Sequence, residues 1–543
     1  MKRGNTAREL ARGYSKTSTY LMDTLRVMAY TDDDGRGSKG SKAVAVVARP
    51  SFAGLESSPD NEPSPESFSS PKKTTDDFKE ATTVQEVQDV CDDLLGWKAK
   101  PYSQPAVWVR PPHFQKLGKQ LPFKLAKSPA DITPEWLTEV FRYQSHLDPD
   151  EAVTSLTSTP IGAGEGEFSE LALIDITGVD SPRGAPKLPR NLVAKFSPPG
   201  LGGFQLTFTF GSESRFYNDL SDGGAMLVRP SAYFVGAKFR RCGQDEYCLL
   251  IENANPPQAP SLCFKRIDGC DSIPHLMLAV RGLARMHAKW WGATRKTKEL
   301  SWAISPHHLG GVMPRLPSSF VSTGWILELK TGFKALPYLY SSKIAAVKFG
   351  EEYREFIAEV RPRIRRRRAA VVRELFRPPL TLVHGDTHLE NIFFGQQFEG
   401  GAVFIDFGLT GIGAPLSDVS ELLGTGMRPK VRRKHELEIV RHYHRCLLEY
   451  GVKDFSWEQC WADYKFQFMR VLIKILHVAP SFCQQRRRGM GMFAEKPSPG
   501  DAKLLAMYKE MNTRLSSALM DHGWAEHLDE MPVTANRFYR PCM

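Results

Sequence analysis

The sequence predicts an α+β protein of two lobes, a small β-rich N-lobe followed by a larger, mainly helical C-lobe. Three observations predict it. β-Branched and alternating runs surround a glycine cluster between residues 151 and 196; the Pro-rich stretch ANPPQAPS (254–261) breaks the chain; and helical periodicity dominates the remainder, beginning with PHLMLAVRGLARMHAKWWG (274–292). At 543 residues, with 41% hydrophobic and 24% charged side chains, the chain has the length for two or three domains or one large bilobal one.

Composition narrows the function classes. No run of about 18 apolar residues occurs, so no membrane span is expected. The nine cysteines are odd in number, scattered and without a C-x-x-C pair, which argues against a zinc site and a disulfide framework. A reducing, cytoplasmic setting is expected. The first thirty residues, with six basic and two acidic side chains, leave an organelle transit segment open. The net charge of +11 is concentrated in RPRIRRRR (361–368), RPKVRRKH (428–435) and QQRRRGM (484–490). Such runs serve nucleic acid, anionic substrates or nuclear import, and each reads most simply as a solvated helix face.

Residues 1–105 are expected to be a disordered or low-complexity tail, because segments such as ESSPDNEPSPESFSSPKKTTDD carry almost no apolar periodicity. Residues 106–150 read as an extension with one helix packing on the N-lobe: in SPADITPEWLTEVFRY, Thr133 can cap, Pro134 fits the first turn and Glu135 favours the dipole. Residues 151–254 form the N-lobe. Its opening, VTSLTSTPIGAGEGEFSELALIDI, reads strand, glycine turn, strand, with Gly162, Gly164 and Gly166 able to let the backbone approach a phosphate, or simply to make a hairpin. NLVAKFSP comes next as a strand in which Lys195 sits among apolar neighbours, costly unless its ammonium finds a partner. GSESRFYNDL then starts a helix with Glu213 in its first turns, and YCLLIEN ends the lobe, where backbone groups around Glu252 and Asn253 are expected to be free for a flat heterocycle.

Residues 255–543 form the C-lobe. Its first long helix contains His287, expected to be a hydrogen-bonded core histidine. Farther on, TLVHGDTHLENIFF places His384, Asp386 and Asn391 in the spacing H-x-D-x-x-x-x-N between two apolar runs. Fifteen residues after Asn391, VFIDFGLTG ends an apolar strand with Asp406. Two short strands thus deliver Asp386, Asn391 and Asp406 to one place. An oxygen-rich set with one Asn and one Asp suits magnesium, which binds through few carboxylates plus substrate phosphates. The remaining carboxylate, Asp386, can orient an acceptor hydroxyl and take its proton as a phosphoryl group moves.

Taken in order, the glycine turn, VAKF, ESRFY, LLIEN, LARMHAKWWG, HGDTHLEN and IDFG resemble the protein-kinase-like superfamily, within it the branch of aminoglycoside phosphotransferases, choline kinases and ecdysteroid-kinase-like proteins. The resemblance covers about residues 130 to 480 and implies a bilobal protein-kinase-like fold. It implies ATP and Mg2+ as cofactors, with Lys195 on the α- and β-phosphates, Glu213 as its ion-pair partner, Glu252 and Asn253 at the adenine hinge, and Asp386 as catalytic base. It makes Asn391 and Asp406 the metal ligands, and His384 and Asp418 structural supports. His388 is expected to brace the loop.

Several departures shape the expected chemistry. Gly385 stands where regulated protein kinases have arginine, and Asp418 follows only twelve positions after Asp406, with no A-P-E after them. A peptide-docking activation loop does not fit, which favours a small hydroxylated metabolite as acceptor. Asp418 and Glu421 form D-x-x-E, which reads first as a helix cap. Trp457, Trp461, Tyr464 and Phe468 share a helical face, either core or an aromatic cage for a cation or ring. Two rivals stay open: a nucleotide-binding pseudokinase, disfavoured because Lys195, Asp386, Asn391 and Asp406 are all kept, and a nucleic-acid-binding protein using the arginine runs, disfavoured by the absence of a nucleic-acid-binding fold signature. The acceptor and the oligomeric state are not legible.

Overall fold

The computed structural model describes residues 73–102, 120–161, 170–182, 188–197, 202–220, 226–238, 246–294, 296–303, 351–489 and 499–533. Gly162, Gly164 and Gly166 lie outside them, as do residues 1–72 of the expected tail. The later part of that tail is a correction. Residues 84–95 form a helix, α1 (Val84–Leu95), opened by a Thr83–Glu86 capping box and closed by Gly96 at φ +68°. Val84, Val87, Val90 and Cys91 are buried in the same core as the long C-lobe helix. The local signals for this helix are present in the sequence; the polar composition upstream hides them.

The N-lobe begins with α2 (Pro134–Tyr143), where Thr133 accepts the Trp136 amide hydrogen as expected of a cap. Five strands come after it: β1 (Ala152–Ile161), β2 (Glu170–Asp180), β3 (Asn191–Phe196), β4 (Ala232–Lys238) and β5 (Glu246–Glu252), in the antiparallel order β1-β2-β3-β5-β4. Their alternation buries Ala172, Ile174, Leu192, Ala194, Phe196, Cys248 and Leu250 with Leu137, Val140 and Phe141 of α2 in one cluster. Lys195 points to the opposite side of β3. That strand is interior, between β2 and β5, so the lysine cannot turn to solvent at an edge.

Helix α3 (Gly202–Asp219) crosses between β3 and β4. It starts nine residues before the expected position, so Glu213 lies well inside it. The segment GGFQLTFTF carries glycines and β-branched or aromatic residues of low helical propensity, so the sequence does not mark its first turns as helix.

The C-lobe is built on α4 (Ile273–Lys289), α5 (Glu351–Leu375), α6 (Leu416–Gly426), α7 (Pro429–Glu449), α8 (Trp457–Gly489), α9 (Pro499–Asp521) and α10 (Trp524–Glu530). Between α5 and α6 run four short strands in two antiparallel pairs: β6 (Thr381–Val383) with β9 (Gly411–Gly413), and β7 (Ile392–Phe394) with β8 (Ala402–Phe404). A single large core joins α4, α6, α7 and α8 and reaches up to Phe216 and Tyr217 of α3. The protein is thus α+β and bilobal. Among the described residues no helix is long and apolar enough to cross a membrane.

Three arginines of two of these runs are built into this lobe, while Arg366, Arg428 and Arg433 stay exposed. Arg363 and Arg367 on α5 pair with Asp529 at 3.2 and 3.3 Å and reach the carbonyls of Ala525 and Met531. Arg432 on α7 is fully buried, bonded to Glu436 at 2.7 Å and to Asp521. A solvated helix face is therefore the wrong reading for these arginines, because α9 and α10 pack across them. The side chains of the third run lie outside the described residues. The aromatic stripe of α8 is core: Trp457, Trp461 and Tyr464 stack in succession, and Tyr464 and Phe468 are fully buried.

Candidate active site

The H-G-D loop takes its shape from two constraints. Gly385 has φ +82°, and a Cβ there would stand 2.3 Å from the Leu409 carbonyl oxygen, so only glycine fits. Asp418 supplies the second. Its carboxylate accepts the backbone N–H of His384 at 2.7 Å and of Gly385 at 2.9 Å, and it faces His287 Nε2 at 3.1 Å. His287 is braced in turn by Tyr443 at 2.7 Å. Asp418 does not cap α6, whose N-terminus carries no side-chain cap. The helix-cap reading fails because a fully buried carboxylate is claimed by the donors of the loop beside it. Burial would raise this carboxyl, but His287, then His384 and the Gly385 amide outweigh it and hold it below the usual carboxylate range.

His384 is also fully buried, and burial pushes its imidazole pKa down, so the ring is neutral. Its Nε2 donates to the Ile405 carbonyl at 3.0 Å, while Nδ1 accepts the Asp386 amide hydrogen at 3.3 Å. One neutral tautomer satisfies both bonds. His384 thus ties the loop to the residue before Asp406. His388 Nε2 stands 3.6 Å from Asp386 Oδ2, with burial, then Arg266, pushing its pKa down to about 4.

Asn391 closes a single helical turn (Leu389–Asn391) that leads into β7. Its Nδ2 donates to the Asp386 carbonyl at 2.9 Å and lies 3.4 Å from Asp386 Oδ2, while its own carbonyl accepts the Ile405 amide hydrogen at 3.0 Å. The β7–β8 hairpin therefore sets Asn391 beside Asp406. Asp406 adopts φ +61°, a left-handed conformation uncommon outside glycine, and Phe407 after it stacks on Phe216 of α3 at 3.8 Å. Backbone strain and an anchored ring together aim the Asp406 carboxylate at the N-lobe.

From that side comes Lys195. Its ammonium bonds Glu213 at 2.6 Å and Asp406 at 2.9 Å. Burial opposes the charge, but Asp406 and Glu213 outweigh it and keep the lysine pKa above its ordinary value. The structure brings Lys195, Glu213, Asp406, Asn391 and Asp386 into one constellation drawn from β3, α3, the β8 end and the H-G-D loop. The hinge needs correction: the Glu252 amide donates to the Ser231 carbonyl at 2.8 Å and the Asn253 amide to the Asn191 carbonyl at 3.2 Å, so neither N–H is free. The N-lobe sheet claims both.

Lys474 of α8 is the member that sequence reasoning missed. Its ammonium donates to Asp386 Oδ1 at 2.7 Å, to the Gly385 carbonyl at 2.8 Å and to Glu421 Oε1 at 2.5 Å. The available signal was a lysine inside the apolar run VLIKIL, the same anomaly that singles out Lys195. Burial would raise the Asp386 carboxyl, but Lys474 reverses this and holds it well below the usual range.

The chemistry of the donor set bears on magnesium. Among the described residues no group of three or more His, Cys, Asp or Glu could hold a metal unaided. One carboxylate oxygen of Asp406 and the Asn391 side-chain oxygen make a partial, all-oxygen set, which fits a cation that completes its shell with water and substrate phosphates.

Residues 261–453, which include the H-G-D loop, match the ecdysteroid kinase-like family, so the resemblance drawn from the motifs holds across that segment. Solved structures of similar backbone include ethanolamine kinase from Plasmodium vivax, 12% identical, with 72% of this chain and 89% of that one covered and a TM-score of 0.40. Choline kinase from Cryptosporidium parvum Iowa II is 10% identical over 72% and 95% of the two chains, at a TM-score of 0.38. A choline/ethanolamine kinase family protein from Mesorhizobium loti is 14% identical over 68% and 94%, at 0.33. Among curated proteins there is no match.

Proposed function

We propose that this chain is a phosphotransferase that moves the γ-phosphoryl group of ATP, with magnesium, to a hydroxyl of a small metabolite. The observation that carries the reading is Lys195, held at once by Glu213 at 2.6 Å and by Asp406 at 2.9 Å beneath the N-lobe sheet. A buried lysine with two acidic partners is poised to trade one of them for a phosphate. The match of residues 261–453 to the ecdysteroid kinase-like family supports the same reading.

In this account Lys195 holds the α- and β-phosphates and Glu213 orients it. Gly162, Gly164 and Gly166 would cover the phosphates, and the edge at Glu252 and Asn253 would meet the adenine through carbonyl oxygens and the next amide, that of Ala254. Asn391 and Asp406 would hold magnesium, which when bound neutralises charge on the phosphates. Asp386 receives the acceptor proton as the acceptor oxygen bonds to the γ-phosphorus, while the bond from that phosphorus to the bridging oxygen breaks and its electrons leave with ADP. Asp386 lies below its ordinary pKa, so it works mainly by orienting the hydroxyl and takes the proton late, which suits a loose phosphoryl-transfer transition state.

A small acceptor is favoured by the short path from Asp406 to α6. Phe407, Thr410, Ile412, Ala414 and Leu416 along it are all buried, which leaves no segment there to dock a peptide. The pairing of Arg363, Arg367 and Arg432 inside the C-lobe disfavours the nucleic-acid reading. The test is calorimetric titration of ATP with and without magnesium, on the wild type and on Lys195→Met. Magnesium-dependent binding, weakened about tenfold or more by the substitution, is expected; a wild type that binds no nucleotide refutes the proposal. Binding without transfer to any hydroxylated compound would favour the pseudokinase.

A further inference from the structure

We propose that Lys474 is a positioning residue of the transfer step: its ammonium pins Asp386 Oδ1 so that Oδ2 is the oxygen presented to the acceptor hydroxyl. This rests on the phosphotransferase reading and adds a residue to it from a helix 88 positions downstream of the loop.

The two oxygens of Asp386 are not equivalent. Oδ1 takes a charge-assisted bond of 2.7 Å from Lys474. Oδ2 has only long contacts among the described residues, 3.4 Å to Asn391 Nδ2 and 3.6 Å to His388 Nε2. A carboxylate on a short side chain rotates about χ2 unless one oxygen is fixed, since that torsion is broad. Lys474 fixes it. The same ammonium holds the Gly385 carbonyl at 2.8 Å, so backbone and side chain of the reacting loop are tied to one point. Its third hydrogen goes to Glu421 Oε1 at 2.5 Å. Three acceptors match the three donors of an ammonium and fix where its charge lies. Glu421 is buried on α6, two residues past Val419 and one turn from Asp418, so the anchor belongs to the helix that already braces His384 and Gly385.

A bland alternative exists, in which Lys474 only neutralises a buried Glu421. The two roles separate in a double variant. Lys474→Met leaves Asp386 unpinned and Glu421 uncompensated; adding Glu421→Gln removes the uncompensated charge and leaves Asp386 unpinned. The probe is magnesium-ATP with water as acceptor, monitored as release of labelled phosphate, with kcat and the KM for ATP measured separately. Positioning predicts that both the single and the double variant lose about 100-fold in kcat, the scale of a misplaced reacting group. The KM for ATP should stay within about twofold, because Lys474 touches none of Lys195, Glu213 or Asp406. A double variant that returns to the wild-type kcat overturns the inference and leaves the phosphotransferase reading standing. A wild type that moves no phosphate from magnesium-ATP, either to water or to a pool of hydroxylated metabolites, overturns both.

Discussion

Replacing Asp418 by alanine separates two physical readings of one residue. As a helix cap it would contribute about 1 kcal/mol. As the acceptor for the H-G-D loop it does more. The substitution strands the His384 amide, the Gly385 amide and the His287 ring nitrogen, all now within 3.1 Å of a carboxylate with no solvent exposure. Each orphaned buried donor costs about 1–3 kcal/mol. Some relaxation of the loop offsets part of this, and loss of one partner from a buried charged network costs about 3–5 kcal/mol. The expected destabilisation is therefore in that range, read as a lowered urea midpoint at constant slope. Amide exchange in residues 381–394 should accelerate at the same time, because the lost bonds are those of the loop itself. The acid limb supplies a sign. The folded carboxyl lies below its ordinary value, so its contribution is complete above about pH 4 and is lost as pH falls through the folded-state pKa; the gap between wild type and variant should narrow there. A loss of about 1 kcal/mol or less, with exchange of the loop unchanged, would refute the reasoning.

Two other substitutions probe the same geometry. Gly385→Ala places a Cβ 2.3 Å from the Leu409 carbonyl at φ +82°, so the loop must shift; a stability loss of about 1–3 kcal/mol and a fall in phosphoryl transfer of about 100-fold are expected, measured by urea unfolding and phosphate release. Arg432→Met leaves Glu436 buried without its 2.7 Å partner and should cost about 3–5 kcal/mol while leaving affinity for labelled RNA unaltered across a salt titration; a loss under about 0.5 kcal/mol would restore the solvated-face reading.

The local marks in the sequence are a charge in an apolar strand at Lys195 and polar groups held between apolar runs at Asp386, Asn391 and Asp406, while Glu213 is singled out through the resemblance to kinase-like motifs; the structure brings all five together. The cap at Thr133 and the core role of His287 were legible for the same reason. What escaped depends on distant partners. Asp418 looks like a cap until the fold brings the loop amides to it, and Lys474 meets Asp386 only once α8 packs against α6. The amides of Glu252 and Asn253 are taken by the carbonyls of Ser231 and Asn191, partners that carry no mark in the sequence. Helix α1 was legible in its capping box and its valine spacing, but a window dominated by the polar segment before it concealed both. Helix α3 begins in residues whose propensities favour strand, so its first turns are visible only in the packed protein.

The central claim is phosphoryl transfer through Asp386. Its most direct test is transfer of labelled phosphate from ATP, with magnesium, to a pool of hydroxylated metabolites that includes choline, ethanolamine, sterols and aminosugars, with wild type beside Asp386→Asn. The expected result is a labelled product from the wild type that requires magnesium and falls by about 100-fold or more in the variant, the scale of a lost general base. Equal labelling by wild type and variant would contradict it.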